Sequence, residues 1–212
     1  MNDAQYKALS IREFDAAAEK FDDNDPSIYN LCHRDYPDIV AELTKQPFDS
    51  VLDAGCGTGA ILAMLKKEHP DKQYTGIDLS PGMIEVASRK ALPGVTFLQG
   101  DCENLPFDPD SFDAVLCSQS FHHYPHPESF FASVYRVLRP GGRLILRDMT
   151  ARSAARWFFN HIEIPLINLL LKKGDVRVYG KDDIEAFCRG AGLAMVSYER
   201  RKGFRMHCVC RK

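Results

Sequence analysis

No apolar run in this chain is long enough to span a bilayer, and its N-terminus lacks the charged-then-apolar pattern of a secretion signal. The expectation is a cytoplasmic protein with no membrane span. A basic surplus is missing too: 27 lysines and arginines stand against 29 aspartates and glutamates, a formal charge of -2. Nucleic acid is therefore not the expected partner, because phosphate backbones select cationic surfaces. The stretch 200–212 is locally basic, but it alternates with apolar residues and reads as a solvated strand face. The seven cysteines are an odd number without framework spacing. Reduced thiols follow, with Cys117 and Cys188 set in apolar runs and Cys208-x-Cys210 a poor metal pair on an alternating strand. Repeats, low-complexity tracts and linkers are absent, and 212 residues suffice for one domain with a sizeable core.

What is present is organised around Val51-Leu52-Asp53-Ala54-Gly55-Cys56-Gly57-Thr58-Gly59. An apolar strand runs into an acid and three alternating glycines, then hands over to helical spacing at 60–67. Glycine is required where φ is positive or where a ligand must touch backbone, and a loop at the carboxyl end of a first parallel strand is a common ligand crevice. The dinucleotide fingerprint G-x-G-x-x-G is not matched, since the spacing here is G-x-G-x-G. Downstream, 73–78 is a second strand ending in Asp78, about twenty residues past the glycines, where an acid can take two ribose hydroxyls. The alternative is that Asp78 complements the dipole of the helix that Ser80-Pro81 opens, and the glycine loop upstream favours ribose. Strands follow at 95–99, 111–117 and 143–148, with a helix over 127–138 and a Pro-Gly-Gly turn before the last of these. Strands alternating with helices imply a parallel sheet covered on both faces. Before them, helices are expected over 4–21 and 37–45, with Phe14, Phe21 and Tyr29 either reaching a ligand or stapling the core. After them, 149–180 is rich in apolar residues, broken at Pro165, and reads either as a lid over the site or as a packed helix. A helix at 181–188, ended by Gly190-Ala191-Gly192, and two alternating runs at 194–200 and 204–210 close the chain as a hairpin.

The glycine loop with Asp53, the "G-D-C-x-x-L-P-F" run at 100–107, the "F-D-x-V" at 112–115 and the "V-L-R-P-G-G-R-L" at 137–144 resemble class I S-adenosylmethionine (SAM)-dependent methyltransferases. The subgroup they are most similar to is the small ubiquinone/menaquinone-biosynthesis C-methyltransferases. The resemblance implies an α/β, Rossmann-like doubly wound sheet of seven strands with an antiparallel last strand and a helical N-terminal cap. Residues 1–48 would form the cap, 50–148 the cofactor core, 149–180 the possible lid and 181–212 the last helix and hairpin. It also implies that SAM is bound and S-adenosylhomocysteine released. Asp53 would meet the amino group above Gly55, Cys56, Gly57 and Gly59. Asp78 would hold the ribose, Leu79 and Met83 would flank adenine, and Asp101 and the Cys102 amide would read the adenine edge. Ser118 would belong to the cofactor-binding set.

In that family the end of the fourth strand lies by the reacting methyl, which puts His122 and His123 where a base would stand. Histidine's pKa of about 6.5 suits proton removal at neutral pH. His123 is the preferred base and Tyr124 a lesser candidate; either histidine can instead be a packing residue. The "N/D-P-P-Y/F" of amino-methylating relatives is replaced by Ser118-Gln119-Ser120-Phe121, and Asp148 alone does not make a metal site, so no metal is expected. The acceptor is expected to be a small, apolar molecule, with monomer and homodimer both open. A non-catalytic SAM-binding protein and an NAD-linked oxidoreductase are the competing readings.

Overall fold

The computed structural model describes residues 1–23 and 30–212. Seven strands form one sheet: β1 Ser50–Ala54, β2 Gln73–Asp78, β3 Val95–Gln99, β4 Phe112–Ser118, β5 Leu138–Met149, β6 Ala194–Arg201 and β7 Arg205–Arg211. Their order is β3-β2-β1-β4-β5-β7-β6, parallel from β3 to β5 and antiparallel at β7 and β6. β1 is buried at every residue because helices cover both faces of the sheet, so it reads as an apolar run rather than an alternation. The chain leaves β1 towards β2 and β3 and returns to β4 on the other side. That reversal opens a crevice at the carboxyl ends of β1 and β4.

Helices α1 Asp3–Ala17, α2 Asn30–His33 and α3 Tyr36–Leu43 precede the sheet. α4 Ala60–Glu68 follows β1, α5 Pro81–Arg89 follows β2, and α6 Pro127–Val137 precedes β5. α7 Ser153–Phe158 and α8 Ile164–Leu170 fill the segment after β5, and α9 Lys181–Ala191 precedes the hairpin. Ile39 and Leu43 of α3 join Leu62 and Leu65 of α4 on one face of the sheet; Phe130, Phe131 and Val134 of α6 join Ile184 and Cys188 of α9 on the other. Each large side chain so buried contributes about 1.5–3 kcal/mol. α1 starts with a capping box, Asn2 and Gln5 each accepting from the other's backbone N–H.

The elements depart from the sequence reading in three places. β5 begins at Leu138 and takes in the Pro-Gly-Gly turn, with an irregular register between Phe112 and Ala114 of β4 and Gly141 at φ 79. Pro165 does not break the 149–180 segment. A π turn, Phe159–Glu163, joins α7 to α8 in one helical run, with Ile164 N–H donating five residues back to Phe159 O. The widened turn opens the ladder just where Pro165 has no N–H to give. Phe204 sits in the hairpin turn rather than in a strand. Tyr29 lies outside the described residues.

Candidate functional site

The three glycines after β1 all have positive φ, 77° at Gly55, 51° at Gly57 and 75° at Gly59. Space distinguishes them. A Cβ at Gly55 would collide with Ser120 Oγ, and one at Gly59 would lie 2.6 Å from the Phe97 ring. At Gly57 it would meet nothing nearer than Phe21, 3.8 Å away. Gly57 is therefore the position where a ligand can lie on bare backbone. The loop is tied to β2 by Gly55 and Cys56 N–H groups donating to Ile77 O at 2.8 and 3.0 Å.

Above this loop lies a cavity of about 840 Å³, its open mouth included. Asp53, Gly55, Cys56, Gly57, Asp78, Leu79, Met83, Asp101, Cys102, Ser118 and His123 all line it. Two residues read from the sequence as site residues do not. Gly59 caps α4 and packs against Phe97, and His122 lies behind the wall, its imidazole turned to Asp148. Phe14, Phe21 and Tyr124 are in the lining as well.

Asp53 is 1% exposed and its Oδ1 has no hydrogen-bond partner. Burial, and then the nearby Asp78 carboxylate, push its pKa up to about 7. Asp78 is raised by burial too, against the pull of backbone donors: Gly57 N–H reaches Oδ2 at 2.8 Å and Ser80 N–H reaches Oδ1 at 2.9 Å. Each of its oxygens keeps lone pairs for further donors. Asp101 accepts from Glu103 N–H at 2.9 Å and pairs with Lys7 Nζ at 2.6 Å; Lys7 also pairs with Glu103.

On the facing wall, β4 ends at Ser118, whose Oγ is buried without a partner. Ser120 Oγ is 2.7 Å from Tyr124 Oη and donates to Ala54 O at 3.3 Å. The turn Phe121–His123 is held by one carboxylate. Asp148, at the end of β5, accepts from Phe121 N–H at 2.7 Å, from His122 N–H at 3.3 Å and from His122 Nδ1 at 2.6 Å. His122 Nε2 lies 3.4 Å from Asp175 Oδ1. Burial alone would discharge His122, but Asp148 and Asp175 hold its pKa up at about 9, so it carries a proton at neutral pH. His123 is the opposite case: burial and then the His122 charge lower its pKa. Its Nδ1 is buried with no partner. The two rings are 4.2 Å apart and titrate apart, a charged histidine beside a neutral one. His122, His123 and Asp175 each bring a possible metal-ligand atom within 4.8 Å of the others.

Sequence reading missed Lys7 and Ser10, which α1 lowers onto the cavity, and Asp175, which meets the histidines from beyond the helical run. No local pattern marks them. The one available signal was an acid directly after Lys172-Lys173-Gly174, where a strongly apolar segment ends.

Residues 52–146 match the model of a methyltransferase domain. The phthiotriol/phenolphthiotriol dimycocerosates methyltransferase of Mycobacterium leprae is 39% identical over 132 residues, 62% of this chain and 47% of that protein. The fatty-acid O-methyltransferase of Mycolicibacterium smegmatis is 41% identical over 103 residues, 48% of this chain and 38% of that protein. The chain spans about half the length of the curated relatives it matches. Among solved structures, a SAM-dependent methyltransferase from Aquifex aeolicus superposes with a TM-score of 0.67 at 20% identity, covering 100% of this chain and 98% of that one. The [4+2]-cyclase SpnF superposes at 0.71 and 19% identity, covering 90% and 84%. At such identities the likeness is one of fold.

Proposed function

We propose that the chain, whose residues 52–146 match a methyltransferase domain, is a class I SAM-dependent methyltransferase, that its cavity binds SAM and that it transfers the methyl group to an oxygen of a small, lipid-like acceptor. One observation carries this reading: three buried polar atoms without partners, Asp53 Oδ1, Ser118 Oγ and His123 Nδ1, belong to residues lining one cavity. Orphaned buried polar atoms are costly unless a ligand completes them. An amino-acid ammonium fits Asp53, vicinal hydroxyls fit the free lone pairs of Asp78, and the open face of Gly57 admits a ligand to the backbone. When bound, SAM supplies a sulfonium-activated methyl carbon and an uncharged leaving group.

What remains for the chain is to align the donor with the acceptor, a contribution on the order of 7–11 kcal/mol in well-oriented systems. Phe14 and Tyr124 bound the space beside His123. A hydroxyl acceptor must lose its proton during attack, and the neutral His123 takes it. The His122 charge, fixed between Asp148 and Asp175, keeps His123 unprotonated and ready. A carboxylate acceptor, such as the name of the mycobacterial fatty-acid enzyme implies for that protein, needs no base. The two acceptor types therefore differ in their need for His123.

Calorimetric titration with SAM, S-adenosylhomocysteine and NAD, followed by labelled-methyl transfer into long-chain acids and alcohols, tests this. SAM should bind and label should enter the lipid fraction. Asp78→Ala should weaken SAM binding roughly ten- to hundredfold, the loss of about 1.5–3 kcal/mol of charge-assisted hydrogen bonding. Binding of NAD in place of SAM overturns the reading. SAM binding without transfer to any acceptor would favour a different reaction on the same fold, as the cyclase neighbour is named for.

A further inference from the structure

The helical run from α7 to α8 turns an apolar face to the surface, interrupted there by His161, which stacks on Trp157. Trp157, Phe158, Ile162, Leu166, Leu169 and Leu170 are all exposed, Trp157 by 58% and Leu169 by 74%. They fall on two adjacent i, i+4 stripes, and no charged residue lies between Arg156 and Lys172 except Glu163. The inward face is apolar too, with Phe159 and Ile164 packed beside Val178. The polar residues that face inward are asparagines bound to backbone: Asn160 accepts from Val178 N–H at 2.8 Å and donates to Val178 O at 3.0 Å, and Asn168 donates to Asp175 O at 2.7 Å. A contiguous exposed apolar patch marks a docking site.

Charge identifies the occupant. Arg152 and Lys172 flank the run with exposed charge, whereas Arg156 pairs with Asp183 and Lys173 with Glu13, and Glu163 is the one acid within the run. Beside it, the Phe204 ring packs on Phe159 with centroids 5.3 Å apart, which brings up the hairpin turn with the exposed Arg200 and Lys202, while Arg201 pairs with Glu199 and Arg205 with Asp35. Four exposed cations, Arg152, Lys172, Arg200 and Lys202, thus lie around one apolar ridge in a chain of formal charge -2. A two-fold contact with a second copy would set like-charged rims together. An anionic bilayer offers hydrocarbon to the ridge and headgroup charge to the rim, and tryptophan favours that boundary. The ridge also leads into the site: Asp175, four residues past Leu171, faces His122 and His123.

We propose that the exposed face of residues 157–171, with Phe204, docks the protein on the surface of an anionic lipid bilayer. That this docking delivers the acceptor rests on the methyltransferase reading; the docking itself does not. Trp157 is the chain's one tryptophan, so its emission reports the face directly. With vesicles of phosphatidylcholine and phosphatidylglycerol, the emission should shift to the blue and the protein should float with the lipid. Phosphatidylcholine alone, or high salt, should bind at least about tenfold more weakly. The double variant Leu166→Glu/Leu170→Glu should lose vesicle binding while keeping its circular dichroism, melting temperature and SAM affinity. No shift with either vesicle overturns the proposal. So does equal binding to both vesicle types, or a self-association that the double variant abolishes and that excludes lipid. Intact SAM binding without vesicle binding sinks the docking alone; vesicle binding without SAM binding sinks the methyltransferase reading alone.

Discussion

Two helical stretches of this chain, α4 and the run from α7 to α8, are both rich in aliphatic side chains and turn them in opposite directions. α4 buries Ile61, Leu62 and Leu65 against the sheet and carries Lys66 and Lys67 in its last turn. The later run turns its asparagines inward and exposes a tryptophan and four leucines. The first was shaped by the protein's own core. The second is shaped by something outside it. The contrast also divides the cavity, because its glycine-loop side hangs from elements like α4, whereas the His123 side is bordered by the segment that ends in Asp175.

The largest effect should separate the two helices directly. Leu62→Ala removes a fully buried side chain and should cost about 3 kcal/mol in urea unfolding, whereas Leu169→Ala should stay within about 0.5 kcal/mol. Equal losses would mean that the ridge is core after all.

A second experiment probes the junction of the two regions. The folded His122 pKa, about 9, lies above the ordinary value of 6.5. Its stabilisation is therefore complete below pH 6.5 and lost as pH rises through 9. The loss should be on the order of 2–3 kcal/mol between pH 6 and pH 10. His122→Gln should flatten that dependence, and a slope unchanged in the variant would assign it elsewhere.

The smallest effect belongs to the glycine-loop side. Asp53, pushed to about 7 by burial and Asp78, ionises when an ammonium meets it. SAM affinity should therefore fall below pH 7, by up to about tenfold per unit, and binding near neutrality should release a proton. Calorimetry in buffers of different ionisation enthalpy reads that proton. Asp53→Asn should abolish the release, and a pH-independent affinity in the unaltered chain would place the ammonium elsewhere.

The division between the regions also governs what the sequence could tell. Asp53, Asp78 and Asp101 were legible because each sits at the tip of a strand whose period and following turn are local. The hairpin and α9 were legible for the same reason. Lys7 meeting Asp101, 94 residues away, obeys no local rule, nor does Asp175 meeting His122. His122 was read as a possible base, and the carboxylates on either side, Asp148 and Asp175, raise its pKa. That depends on which side chains converge, and spacing does not carry it. Pro165 was read as an interruption because proline breaks α-helices; a π turn takes up the break.

That π turn acts as a register counter. It holds one residue more than an α turn, so the chain has spare length between Phe159 and Glu163. Deleting one residue there, with Pro165→Ala to spare the carbonyl below, would straighten the helix and leave both flanks in phase. The same deletion within α8 would swing Leu169 and Leu170 by about 100° towards the interior. Length variation along this arm is thus confined to a single permissive turn, and the outward leucines stay aimed by arithmetic.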